Sequence, residues 1–338
     1  MWRAGFKWIY LILGTIIGAG YASGREIWQF FGEGSSLAIA LFTVLFAICC
    51  YVIMSISRRL KTEHYLLVLQ EVVGLRLAKV YDVVIVIYLF MTTFIMLAGG
   101  GATLESFDIP YVIGVAIICI AVVVLFFWGT EGMLSANTFI LPILVTSLVV
   151  ILFLFLYQQE GPLQMDVLNQ SNWPASLTFT ALNLLSLTAV LSAVGHQMKT
   201  RGELAIASVG SAAVLGGLTL LYNTSLSKVA HELVFYEIPL FAILKNYPWV
   251  MIVMMSLLLW FAIYTTALAC IFGLVSRLKK RIRLSMWQLA LLFVLLMLPF
   301  TGFGFGPLID VLYPIYGLIN LYLFSALLLY PITRKFAQ

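Results

Sequence analysis

Charged residues are scarce in this sequence. Asp, Glu, Lys and Arg make up 10% of its 338 residues, whereas soluble domains average roughly 25%. Hydrophobic residues make up 63%, and the mean hydropathy is +1.07. A chain of this composition cannot cover itself with polar surface, so a soluble domain is excluded and a lipid bilayer is the expected environment.

Other chemically useful groups are also sparse. The four cysteines (Cys49, Cys50, Cys119 and Cys270) lie in apolar runs without a Cys-x-x-Cys spacing, which argues against structural disulfides and zinc. No Asp-rich, His-x-x-x-His or Ser/His/Asp pattern occurs at membrane depth, so an enzyme and a resident cofactor are not predicted. The formal net charge of +5 indicates membrane orientation rather than nucleic-acid binding.

Long apolar runs are abundant. A membrane-spanning helix needs about 20 apolar residues, and ten segments approach or reach that length. The predicted spans are 8–31, 36–57, 81–104, 111–128, 134–157, 175–195, 204–226, 250–276, 286–301 and 307–331. The predicted fold class is therefore an all-α transmembrane domain of about ten spans, covering residues 1–338.

The distribution of basic residues predicts the orientation. An even number of spans places both termini on one side, and of 19 Lys and Arg residues all except Arg25, Lys228 and Lys245, that is 16, fall on that side. Because Lys and Arg collect in cytoplasmic loops, both termini are predicted to be cytoplasmic, in the plasma membrane. The segment 228–247 is too polar to span and predicts an outer amphipathic helix that could serve as a lid.

Ten spans can divide into two halves of five, residues about 8–157 and about 174–331. Because five is odd, the second half begins on the opposite side, as in the inverted repeats of secondary transporters. We find no convincing self-similarity between the halves, so the repeat rests on count and orientation. It predicts a binding site at the midpoints of spans 1 and 6.

Span 1 is rich in small residues. Residues 13–26 read LGTIIGAGYASGRE, with four glycines, Gly14, Gly18, Gly20 and Gly24. One interpretation is a packing seam, because glycines four apart allow close helix approach. The other is a helix broken at 18–20, exposing carbonyls of the inner half-helix to cations and amides of the outer one to anions. The density of glycines favours the break.

Charged side chains are missing from the predicted membrane midplane. Glu26, Asp82, His196 and Asp310 all lie near predicted span ends, and His196 adjoins basic residues of the inner surface. A proton-driven carrier usually has an ionisable residue within the membrane. A zwitterion such as an amino acid could instead bind the two half-helix ends without a charged side chain.

Two segments of span 1 carry a family resemblance. The sequence IIGAG at 16–20 resembles the I-G-x-G motif of the amino acid-polyamine-organocation (APC) superfamily, and GAGYASGREIWQFFG at 18–32 resembles the YkvI group of bacterial membrane proteins within it. The resemblance implies the LeuT fold, a 5+5 inverted repeat with a broken span 1 and a break in span 6. It also implies that substrate lies between spans 1, 3, 6 and 8.

Candidate substrate-binding residues follow from this placement and from depth in the membrane. They are Gly18, Ala19, Gly20 and Tyr21 in span 1, Thr92, Thr93 and Met96 in span 3, and Asn183, Ser186 and Thr188 in span 6. Span 6 lacks the glycines that relatives often have there. Its Ser and Thr hydroxyls could equally bond back to their own helix.

The resemblance also implies a sodium site. Sodium-coupled relatives use two span 1 carbonyls, one span 8 carbonyl and two adjacent span 8 hydroxyls, which correspond here to Gly14, Ile17, Ala262, Thr265 and Thr266. Such oxygens suit a hard cation, although a Thr-Thr pair can also be a back-bonded structural feature. A second sodium site of these relatives uses Asn after G-x-G, where this chain has Tyr21.

Relatives of this kind pair an outer span 1 arginine with an acid of span 10. Arg25 and Asp310 stand at those places and are predicted to close the outer mouth of the site. Two alternatives remain open: the two charges are solvated independently, or Glu26 is the partner of Arg25.

The leading hypothesis is a secondary transporter of a small organic solute, an amino acid or related amine, working by alternating access and coupled to sodium. The alternative is an amino-acid-sensing receptor, because subunits of spore-germinant receptors belong to the same superfamily. The expected partners are the solute and the lipid bilayer.

Overall fold

The computed structural model describes residues 2–128, 131–158, 172–279 and 282–335, in which the regular elements are helical. The helices are α1 (Trp2–Ile16), α2 (Ala19–Ala22), α3 (Arg25–Phe30), α4 (Ser36–Leu60), α5 (Tyr65–Glu105), α6 (Tyr111–Trp128), α7 (Glu131–Gln158), α8 (Ala175–Ala193), α9 (Arg201–Lys228), α10 (Pro239–Leu244), α11 (Trp249–Lys279), α12 (Met286–Thr301), α13 (Phe305–Ile319) and α14 (Leu321–Lys335). Most of the outer polar stretch 158–173 lies outside the described residues.

The helices match the predicted spans closely. Within the described ranges, seven are long and apolar enough to cross a membrane, and three shorter apolar helices, Ala4–Ile16, Tyr111–Phe127 and Met286–Thr301, bring the total to ten. Apolar side chains such as Val112, Ile120 and Phe153 lie exposed on the outside of the bundle, as expected for surfaces that contact lipid. The protein is a multi-pass membrane protein.

Span 1 is broken where the glycines predict. Helix α1 ends at Ile16, α2 begins at Ala19, and Gly18 N donates to the Ile16 carbonyl at 2.8 Å instead of to a residue four positions back. A second interruption separates α2 from α3 at Gly24, which has a left-handed φ of 79°. A Cβ atom at Gly24 would lie 2.8 Å from the ring of Tyr222, so both backbone conformation and space require glycine here.

The predicted break in span 6 is wrong: α8 is one helix from Ala175 to Ala193. It contains neither Gly nor Pro, and its polar side chains bond to the helix itself. Thr180 Oγ1 donates to the Ser176 carbonyl at 2.6 Å, and Asn183 Nδ2 to the Phe179 carbonyl at 2.9 Å. These bonds satisfy the polar side chains within the helix, so the polar character of the segment does not require a break.

Span 3 starts earlier than the prediction of residue 81. Helix α5 runs from Tyr65 to Glu105 with one non-helical residue, Gly74, at φ 80° and ψ 166°. The part before Gly74 is helical and lies between the predicted spans 2 and 3, where the sequence analysis predicted no span. Its Glu71 accepts hydrogen bonds from Arg59 Nη2 and from Tyr330 Oη, both at 2.8 Å, and so ties the inner ends of spans 2 and 10 together.

Span 10 is interrupted between α13 and α14 at Asn320. Tyr81 of span 3 inserts its hydroxyl there, donating to the Ile319 carbonyl at 3.3 Å and accepting from Leu323 N at 3.2 Å. A side-chain hydroxyl in the backbone ladder is a common cause of a helix bend.

The predicted outer helix is two short pieces, a 3-10 helix at Ala230–Phe235 and α10. Leu240 N donates to the Ser23 carbonyl at 3.0 Å, and Glu237 Oε2 accepts from Phe305 N at 3.0 Å. The segment 228–247 therefore contacts both the broken part of span 1 and the start of span 10.

The packing places the break of span 1 at the centre of the bundle. Helix α5 packs along α11, and α4 packs along α9. Helix α1 lies against α8 and α9, α2 against α11, and α3 against α13. The break is therefore surrounded by spans 3, 6, 8 and 10.

Candidate functional site at the break in span 1

A cavity of about 60 Å³ lies at the break. Its walls come from spans 1, 3, 6, 8 and 10, and the lining residues are Thr15, Ile16, Gly18, Ala19, Gly20, Glu26, Tyr88, Thr92, Met96, Leu182, Asn183, Ser186, Thr266 and Tyr313. At about 15 Å³ for each water-sized group, the cavity holds roughly four such groups. It is a small polar site enclosed by membrane helices.

Backbone groups at the break are available to a ligand. Among the described residues, no backbone amide is recorded as a donor to the carbonyls of Gly14 and Thr15, because the helical pattern stops. The first amides of α2, at Ala19 and Gly20, likewise have no recorded backbone acceptor. The inner half-helix thus ends in free carbonyls, which favour cations, and the outer one begins with free amides, which favour anions.

Seven of the ten predicted substrate-binding residues line the cavity: Gly18, Ala19, Gly20, Thr92, Met96, Asn183 and Ser186. The other three, Tyr21, Thr93 and Thr188, do not. Tyr21 points into span 7, where its hydroxyl donates to the Leu215 carbonyl at 2.9 Å. Thr93 bonds back to the Leu89 carbonyl at 2.7 Å, and Thr188 is buried with its hydroxyl unpaired.

The sequence analysis missed Glu26, Tyr88 and Tyr313 as lining residues. Glu26 is the important one, because it is the only carboxylate among the lining residues described above and it is 6% exposed. The expectation of a site without a charged side chain is therefore corrected. Glu26 follows the left-handed turn at Gly24, which starts a new helix and turns the carboxylate back toward the break.

The predicted sodium ligands come from span 1 before α2 and from α11, which packs against α2. The hydroxyls of Thr265 and Thr266 donate to the Ala262 carbonyl at 3.1 Å and 2.8 Å. Thr266 Oγ1 also lines the cavity and would lie 3.8 Å from a Cβ atom at Gly18. Gly14 lies at the inner side of the break, and a Cβ atom there would meet Leu141 of α7.

Arg25 and Asp310 meet above the cavity. Arg25 Nε donates to Asp310 Oδ1 at 2.9 Å, and Arg25 Nη2 bonds to Asp310 Oδ2. Gln29 Nε2 donates to the Asp310 carbonyl at 3.1 Å. The guanidinium packs against Gly306, where a Cβ atom would lie 3.1 Å from Arg25 Cζ. Spans 1 and 10 are therefore joined by a two-point contact on the outer side, and Glu26 is not the partner of Arg25.

The remaining ionisable residues singled out in the sequence lie away from the cavity. Asp82 pairs with Arg277 Nη2 at 2.5 Å, connecting the inner ends of spans 3 and 8. His196 is exposed in a 3-10 turn at the inner end of span 6. Both lie on the face of the bundle that is predicted to be cytoplasmic.

Comparisons with known proteins agree with the geometry. No family model matches the chain. The chain is 49% identical to YyaD of Bacillus subtilis (strain 168) over 335 residues, which cover 99% of both chains. It is 23% identical to the membrane protein YkvI of the same organism over 335 residues, covering 94% of each.

Two solved structures share the fold. The structure of MhsT in complex with L-phenylalanine matches with a TM-score of 0.68 and 15% identity, covering 95% of this chain and 86% of that one. The manganese transporter of Eremococcus coleocola, in complex with an aromatic bis-isothiourea substituted compound, matches with a TM-score of 0.53 and 16% identity, covering 96% and 78%. That the second of these proteins is described as a transporter agrees with the prediction that this chain is not an enzyme. The chain belongs to the same family as YyaD and is a membrane protein with the LeuT fold.

Proposed function

We propose that the protein is a secondary transporter that moves a small organic solute, an amino acid or related amine, by alternating access. The observation that carries the proposal is the cavity at the broken span 1, bordered by free backbone carbonyls, free backbone amides and one carboxylate. Binding sites at a broken helix near the midplane are typical of transporters built from inverted repeats. MhsT, which shares the fold, is described in complex with an amino acid.

The same proposal covers topology. Both termini lie in the cytoplasm, the protein resides in the plasma membrane, and residues about 8–157 and about 174–331 form the two inverted repeats. The basic residues of the predicted inner loops support this orientation. In this orientation the Arg25–Asp310 pair faces outward and the Asp82–Arg277 pair faces the cytoplasm.

Uptake into proteoliposomes tests the transport proposal. Purified protein in sealed vesicles is expected to accumulate at least one radiolabelled amino acid or small amine, with labelled solute exchanging against unlabelled solute inside. Protein-free vesicles are the control. If a solute stabilises the purified protein against heat but does not cross the membrane, the transporter proposal is wrong and the receptor alternative is favoured.

Sodium coupling is a second, separable part of the proposal, with Gly14, Ile17, Ala262, Thr265 and Thr266 as ligands. Thr266→Ala removes one hydroxyl oxygen, so sodium-dependent thermal stabilisation is expected to fall in this variant. The measurement is the melting temperature in sodium chloride against choline chloride. Thr93→Ala is a matched control, because Thr93 is also a back-bonded threonine but lies outside the cavity. Equal melting temperatures of the parent protein in both salts would refute sodium coupling.

A further inference from the structure

Glu26 is a buried carboxylate without a partner in the described part of the structure. It is 6% exposed, and no hydrogen bond or ion pair to it is recorded among those residues. The neighbouring arginine, Arg25, is occupied by Asp310. Burying an unpaired charge in a membrane protein is costly, so a carboxyl group in this position requires a bound cation or a proton.

The carboxylate lies directly on the break. A Cβ atom at Gly20 would be 2.8 Å from Glu26 Oε2 and 3.3 Å from Tyr313 Cε2, so the oxygen occupies the space that a larger residue at position 20 would fill. Tyr88 and Tyr313 line the same cavity. Tyrosine rings attract cations through their faces, and the free carbonyls at the end of α1 do so through their dipoles.

We propose that Glu26 recognises the ammonium group of the solute and that its carboxyl group carries a proton when no cation is bound. Solute binding then releases that proton to water: the O–H bond of the carboxyl group breaks, and the carboxylate pairs with the ammonium ion. This inference rests on the proposed transport function and makes its solute class an amine with a small body.

Other titratable groups do not account for such a proton. Near Glu26, the described elements carry Tyr21, Tyr88, Tyr222, Tyr313, Tyr316, Cys270, Arg25 and Asp310. Asp82 and Arg277, on two of the same helices, pair with each other away from the cavity. Tyrosine and cysteine are ordinarily neutral at neutral pH, and Arg25 and Asp310 neutralise each other. A proton released on binding is therefore assigned to Glu26.

Isothermal titration calorimetry of the purified protein tests the assignment with ethylammonium chloride and L-alanine, and with 1-propanol and propionate as probes without an ammonium group. Ethylammonium and alanine are expected to bind, and the other two are not. Glu26→Gln should weaken ethylammonium binding by more than about tenfold. Glu33→Gln, which neutralises an exposed acid near the outer end of span 1, should leave the affinity unchanged.

Proton release is measured on the unchanged protein, so it does not depend on the folding of a variant. Binding enthalpies in phosphate and in Tris buffer, which differ in ionisation enthalpy, should differ by the amount expected for up to one released proton. Between about pH 5.5 and 8, where ethylammonium keeps its charge, affinity should rise with pH. The affinity stops rising at the pH where the Glu26 carboxyl group of the unoccupied site is already ionised.

Several results would overturn the inference. If the parent and Glu26→Gln proteins bind ethylammonium with equal affinity, Glu26 does not bind the ammonium group. If both proteins also take up solute, the proposed transport function still holds. Stronger binding of Na⁺ or Mn²⁺, with competition against ethylammonium, would make the carboxylate a metal ligand instead. Absence of uptake despite ethylammonium binding at Glu26 would overturn transport but not the cation site.

Discussion

Replacing Gly20 by leucine is expected to abolish solute binding while the protein still folds and inserts. A Cβ atom at this position would already press on Glu26 Oε2 at 2.8 Å, and the rest of a leucine side chain would extend into a cavity of about 60 Å³. The atoms it meets first belong to side chains that line the cavity, and the Glu26 carboxylate can move. The loss should therefore appear in binding, by more than about tenfold, rather than in expression.

Gly18 provides the matched control, because its surroundings are more open. A Cβ atom there would meet only Thr266 Oγ1, at 3.8 Å, so Gly18→Ala should retain uptake, whereas Gly18→Leu should block the site as Gly20→Leu does. Gly24→Ala should behave differently from all three: it places a side chain at φ 79° and 2.8 Å from Tyr222, and is expected to lower stability by about 1–3 kcal/mol. Normal uptake by both leucine variants would show that the solute does not pass through this cavity.

The spans themselves could be predicted from the sequence because hydropathy determines them. Ends of the predicted spans and of the helices agree within a few residues for spans 2, 4, 7 and 9, where apolar runs are bounded by polar residues. The break in span 1 could also be predicted, because glycines are dense enough to remove the helical preference locally. The start of span 3 could not, because the helix before Gly74 is polar and is held by Glu71 through contacts with distant spans.

The candidate site was only partly predictable. Depth in the membrane singled out Thr92, Met96, Asn183 and Ser186, which line the cavity. Depth alone cannot tell which side of a helix faces a cavity, so it also singled out Thr93 and Thr188, which do not line it. Tyr88 and Tyr313 come from spans whose rotation is set by packing. Nothing in the sequence around Tyr88 and Tyr313 indicates that they line the cavity.

A signal for Glu26 was present in the sequence. Successive residues of a helix point about 100° apart, so Arg25 and Glu26 point in different directions. Once Arg25 is assigned to Asp310, Glu26 must point elsewhere, and the glycine at 24 starts the helix that carries both. The linear position of Glu26 near a predicted span end concealed this, because the left-handed turn at Gly24 starts a new helix and redirects the residues that follow it.

Removing either member of the Arg25–Asp310 pair is expected to impair transport strongly while the fold persists. The pair joins the outer half of span 1 to span 10, and its side chains are 18% and 29% exposed. An exposed ion pair contributes about 0–1 kcal/mol, and this one should lie at the upper end because it is bidentate and partly buried. Such an energy is too small to hold a protein together, but it can shift two states of similar free energy by several-fold.

A double-mutant cycle measures the contact directly. Initial uptake rates of Arg25→Ala, Asp310→Ala and the double variant are compared, and the double change should cost less than the sum of the single changes, because the second change removes a group that has already lost its partner. Glu232→Ala is a suitable control, since Glu232 pairs with Lys245 on the outer surface, away from span 10. Strict additivity would mean that Arg25 and Asp310 act separately. Loss of folding in the single variants would instead make the pair structural, and uptake unaffected by any of these changes would remove it from the transport cycle.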